Sequence, residues 1–180
     1  MIALTAALGM VKISLPFLNE VPITGQTLAV MLAGALLGAR LGGGAMLAFI
    51  VLVAAGAPLL SGGRGGLAVF ASASGGWVLS WPVAAFVIGY LVERSWNHLR
   101  TWKVFFYNLL GGIAAVYLIG IAYQAALTGV PFLAVTAKSL IFLPGDLIKA
   151  GIAAFIAVRM RYAYPLLRRQ SETSPQDRAA

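Results

Sequence analysis

The chain has 180 residues, of which 61% are hydrophobic and only 10% charged, and its mean hydropathy is +0.91; an average soluble domain carries about 25% charged residues. This balance excludes a soluble globular protein and indicates an integral membrane protein. The net charge of +8 reads as topology marking rather than nucleic-acid binding, because the bases fall between and after apolar spans, and the lack of cysteine excludes disulfides and cysteine-based sites.

Six apolar stretches follow in chain order: Ile2–Leu15, Gln26–Ala39, Gly43–Leu60, Leu67–Leu91, Val104–Leu127 and Pro144–Val158. Each is expected to form a membrane helix, giving an all-α, compact six-helix bundle. An open sheet cannot satisfy its backbone in lipid, and no repeated ten-residue alternation supports a barrel. The first, second and sixth stretches are short of the ~20 residues that cross hydrocarbon. No basic segment precedes Ile2, so no cleavable signal peptide is expected, and the natural start is expected to lie earlier.

Basic residues set the orientation. Arg40 lies between stretches two and three, Arg94, Arg100 and Lys103 between four and five, and Arg159, Arg161, Arg168, Arg169 and Arg178 after six. Their side is cytoplasmic by the positive-inside rule, and both termini share it. Residues 1–160 then form the membrane domain, and 161–180 a basic, polar cytoplasmic tail that is expected to be disordered. The opposite side receives Pro16–Gly25, Ser61–Gly66 and Thr128–Leu143.

Small residues recur four apart: Ala3 and Ala7, then Gly34, Gly38 and Gly42, then Ala150 and Ala154. Such steps let helix backbones approach closely. For the second and sixth stretches the reading is packing within the chain. For the first, packing and a docking face for another membrane protein are both open.

The external connections hold the chemistry. In "FLPGDLIKA", Pro144 suits a helix start, Asp146 falls in the first turn against the positive helix end, and Lys149 follows on the same face. With Arg64, Gln26 and Thr24 the pair can frame an outward pocket, walled by Trp77, Tyr107, Tyr117 and Phe142. Such a pocket suits a small ligand with a carboxylate, an uncharged hydrogen-bonding head and an apolar body. Two plainer readings stand beside it: an intrahelical ion pair that only braces the helix, and an Arg64 that only meets headgroups. Trp81, Trp96 and Trp102 read as interface markers or packing residues. His98, the single histidine, has no companion ligand, so no metal site is expected. No phosphate-binding loop, zinc-protease motif or serine elbow occurs, and neither ATPase activity nor any other catalysis is expected of this chain.

Three motifs read together, "VPITGQTLAVMLAGALLGAR", "GGRGGLAVF…GGW" and "FLPGDLIKA", strongly resemble the BioY family, the biotin-specific substrate-binding (S) components of energy-coupling factor transporters. The resemblance spans the first stretch to the sixth. It implies a bacterial inner-membrane protein that captures biotin from outside without a cofactor of its own, amid membrane lipid and with no nucleic-acid partner. It also implies a transmembrane coupling protein (T component), met by Ala3 and Ala7, and ABC-type ATPases that spend ATP on import. Asp146, Lys149, Arg64, Thr24 and Gln26 match its motifs. Asp146 and Gln26 are assigned to the ureido head, and Arg64 or Lys149 to the carboxylate. Family members often show Gly-Pro-Thr-Gly-Gly-Tyr where this chain has Ser72–Trp77, so the resemblance does not carry Ser74 or Trp77 into the pocket. An S component for another small vitamin and an ion-gradient-driven carrier are the alternatives.

Overall fold

The computed structural model describes residues 1–10, 12–13 and 23–163. Eight α-helices are assigned: α1 (Ile2–Met10), α2 (Gln26–Ala54), α3 (Gly75–Leu79), α4 (Trp81–Arg94), α5 (Thr101–Asn108), α6 (Val116–Thr128), α7 (Phe132–Ser139) and α8 (Leu143–Ala163). Among the described residues, four helical stretches are, by length and composition alone, long and apolar enough to cross a membrane: Gln26–Ala54, Gly75–Arg94, Thr101–Thr128 and Phe132–Met160. The all-helical expectation needs one small correction. Lys12–Ile13 (β1) and Ile23–Thr24 (β2) pair as a two-rung antiparallel ladder in the first connection.

The run α2 is not one straight rod. Gly38 has φ 82° and ψ −176°, a region essentially restricted to glycine. A Cβ added to Gly42 would stand 2.7 Å from the Ala33 carbonyl oxygen, although residues nine apart in a continuous helix are separated by about 13 Å. The chain therefore doubles back at Gly38, making two arms, 26–37 and 39–54. The Ala39 N–H at the start of the second arm donates to Glu93 Oε1 at 2.9 Å. A carboxylate from α4 thus caps the new helix end, where backbone donors lack partners.

Glycine also explains why α4 sits so close to this hairpin. Gly34 faces Ala85 and Ile88, Gly43 faces Pro82 and Phe86, and Gly89 rests against Gly38 and Ala39. The expected Gly34–Gly38–Gly42 helical stripe is thereby revised. Gly34 is a packing contact, Gly38 is the reversal, and Gly42 meets the opposing arm. Ala150 and Ala154 are wholly buried, as expected of a packing face on α8. Ala3 and Ala7 are exposed, while Thr5 and Gly9 of the same helix are buried.

Between α5 and α6, Leu109–Ala115 winds as a π-helix, which shifts the phase of the residues that follow. Gly111 lies against Ile88 and the Ala84 carbonyl, and Gly112 against Met31. Asn108, just before it, donates Nδ2–H to the Ala150 carbonyl at 3.0 Å, tying α5 to α8 beside Lys149. Outward faces carry Leu41, Leu47, Val51, Leu118, Ile148 and Phe155, an apolar exterior suited to lipid. Helix α8 continues to Ala163, beyond the expected domain boundary at residue 160; the rest of the expected tail, 164–180, lies outside the described residues.

Candidate functional site

Helix α8 supplies the centre of the site. It begins at Leu143, so Pro144 takes the second helical position rather than the first, and Asp146 remains in the first turn. Lys149 Nζ donates to Asp146 Oδ1 at 2.9 Å. The ion pair does not stand alone. Lys149 Nζ also donates to Thr27 Oγ1 at 3.1 Å, and the Thr27 hydroxyl donates to Asp146 Oδ1 at 3.1 Å. Tyr117, placed by the π-helix before it, donates its hydroxyl to Asp146 Oδ2 at 2.8 Å. Asp146 is 5% exposed, and a carboxylate this buried requires such partners.

A second polar group forms around the loop after α2. Gly62 and Gly63 have φ 76° and 71°, which folds the loop tightly enough for Leu60 N–H to donate to the Arg64 carbonyl at 3.1 Å. Arg64 Nε–H donates to the Ser61 carbonyl and Nη1–H to Ser74 Oγ, both at 3.2 Å. Ser72 Oγ–H is committed to the Val69 carbonyl at 2.6 Å. In the 3.0 Å contact between Ser72 and Ser74, Ser74 is therefore the donor. The direction of the chain is fixed: Arg64 to Ser74 to Ser72 to backbone.

Both groups line one cavity with Thr24, Gln26, Leu60, Ser61, Trp77, Val78, Trp81, Val116 and Phe142. Among the described residues the two polar groups share no hydrogen-bonding residue. Lys149 is neutralised by Asp146, whereas Arg64 has no carboxylate partner among the described residues. Its walls are aromatic. Trp77 meets Tyr117 edge-on at 5.2 Å and Phe142 at 6.0 Å between ring centroids, and Trp81 leans on Phe49 at 5.7 Å. Trp77 is held by an Nε1–H bond to Gln124 at 3.1 Å, and Gly120 leaves room for its ring.

A family model described as the BioY family matches residues 1–166. The chain belongs to the BioY family. It is 47% identical over 171 residues to the biotin transporter BioY of Rhizobium etli, covering 92% of this chain and 91% of that one. It is 40% identical over 164 residues to the probable biotin transporter BioY of Bacillus subtilis, covering 91% and 88%. Among solved structures it is similar to the S-component for biotin from an ECF-type ABC transporter, with a TM-score of 0.85, 32% identity and coverage of 89% and 86%. These relatives are named as biotin transporters or as a transporter's S-component.

In this BioY-family chain, Thr24, Gln26, Arg64, Asp146 and Lys149, drawn from three distant parts of the sequence, line the same cavity. Gln26 donates Nε2–H to the Leu59 carbonyl at 3.4 Å and packs over Gly9 of α1. Tyr117 reaches the site through its bond to Asp146 and its edge-on contact with Trp77. Tyr107, expected as a wall, lies elsewhere, with its hydroxyl 2.5 Å from Ser95 Oγ. Trp81 is buried in the wall, the packing alternative of its two readings. Thr27, Ser61 and Ser74 escaped sequence reasoning, because a single hydroxyl in an apolar run carries no periodic signal. Trp77 lines the cavity, where the reading of the residues put it, and Ser74 both lines it and holds Arg64, although the resemblance carried neither into the pocket.

Proposed function

We propose that the chain is the biotin-binding S component of an ECF-type uptake transporter, a six-span protein of the bacterial inner membrane with both termini cytoplasmic. It captures biotin from the outside and performs no catalysis, while a T component and ABC-type ATPases drive import. The observation that carries this reading is one cavity lined by a paired Asp146–Lys149, an Arg64 with no carboxylate partner among the described residues, and aromatic side chains. Biotin has a ureido head with two N–H donors and one carbonyl, an apolar thiophane ring and chain, and a terminal carboxylate.

Asp146, with one unspent lone pair on Oδ2, accepts a ureido N–H, assisted by the Gln26 carbonyl oxygen. Lys149 has one N–H left for the ureido carbonyl. The carboxylate goes to Arg64, whose positive charge has no other partner among the described residues and whose planar fork suits a carboxylate. Trp77, Trp81, Phe142 and Val116 enclose the ring and chain. Ala3 and Ala7, exposed together on α1, form the face for the T component. Competition tests the reading. Labelled biotin bound to the purified chain should be displaced by biotin but not by thiamine or riboflavin; displacement by either of the other vitamins would reassign the pocket.

A further inference from the structure

Ser61 lies in the cavity wall, is 4% exposed, and has a buried Oγ with no hydrogen-bond partner among the described residues. A hydroxyl buried without a partner is costly, and in a native fold it calls for a reason. The position of Ser61 supplies one. Its own carbonyl receives the Arg64 Nε–H at 3.2 Å, so Ser61 belongs to the same turn that holds the guanidinium. Arg64 has spent Nε–H and one Nη1–H on Ser61 and Ser74, leaving three of its five N–H donors. Ser74 donates away from Arg64, to Ser72, and reinforces the guanidinium without competing for an anion. The arrangement is a set of donors around a positive charge with no anionic acceptor among the described residues.

We propose that Ser61 is a ligand-binding residue whose hydroxyl donates to the same carboxylate that Arg64 holds, so that the acid end of the ligand is gripped by a serine–arginine pair. The inference rests on the biotin reading above and deepens it. It makes the pocket selective for the free acid over uncharged relatives, because a hydroxyl–carboxylate bond is charge-assisted and has no counterpart for a chain ending in a methyl group.

The test uses the full chain in detergent, as wild type and as Ser61→Ala, titrated with biotin and with an analogue whose carboxyl is replaced by methyl. Thermal stability is followed without ligand. The variant should bind biotin about tenfold more weakly, bind the methyl analogue as the wild type does, and be no less stable alone. A fall of equal size for both ligands, or unchanged biotin binding, would overturn the assignment. So would a clear loss of stability in the ligand-free variant, since the hydroxyl would then have a partner within the fold. Ser61→Cys, a weaker donor of similar size, should fall between wild type and Ser61→Ala for biotin alone. A wild-type chain that does not bind biotin overturns the function reading itself, which keeps the two failures distinct.

Discussion

Asp146 is held from three directions, by Lys149, Thr27 and Tyr117, and this separates a residue that touches ligand from one that positions it. Tyr117 bonds Asp146 Oδ2 from α6. Tyr117→Phe keeps the ring that packs against Trp77 and removes only that bond, one to a charged acceptor and so of the order of 1.5–3 kcal/mol. Biotin binding should weaken about tenfold, while the helical content of the purified variant stays that of the wild type; an unchanged affinity would show that Asp146 needs no orientation from α6. Arg64→Gln should lose considerably more, about a hundredfold for biotin, because it removes the charge that no carboxylate offsets among the described residues. Calorimetric titration reads both. Asp146 and Lys149 were legible in the sequence, since two ionisable residues beside a Pro-Gly step in an apolar run are costly unless used. Their contact with Thr27 was not, because it joins residues 27 and 149 across the bundle, and nothing local to Thr27 announces it.

Among the elements, the hairpin within α2 depends on one backbone angle and one carboxylate. Gly38 occupies a conformation that costs a side-chain-bearing residue about 1–3 kcal/mol, and Gly89 of α4 packs directly against it. Gly38→Ala should therefore lower the melting temperature of the purified protein clearly. Glu93→Ala, which leaves the Ala39 N–H without its cap, should lower it less, since a lost N-cap costs ~1 kcal/mol of stability. Equal melting temperatures for Gly38→Ala and wild type would contradict the reversal. The sequence divided this region into two apolar stretches correctly. It placed the break among Arg40–Gly42, since spacing of glycines does not reveal which one takes a positive φ. The π-helix at Leu109–Ala115 was likewise invisible, because its apolar composition is that of any membrane helix.

Across the whole molecule, the ligand cavity draws on α2, the loop after it, α3, α4, α6 and α8, while the small-residue face of α1 points away from the bundle. On the proposed reading, capture and partner docking use separate surfaces. Ala7→Trp should abolish biotin uptake by cells that contain the complete transporter yet leave binding by the purified chain unchanged. Loss of both would place α1 in the binding site instead. The apolar character of the chain and its motif order were readable from composition and local pattern. The convergence of Arg64 with Asp146 was an expectation that only the packing of α3, α6 and α8 could put in place. The central claim is that this chain alone recognises biotin. Calorimetric titration of the purified chain with biotin, in detergent and without ATP or any partner subunit, tests it most directly. The account predicts saturable one-to-one binding; a folded, monodisperse chain that gives no binding signal would contradict it.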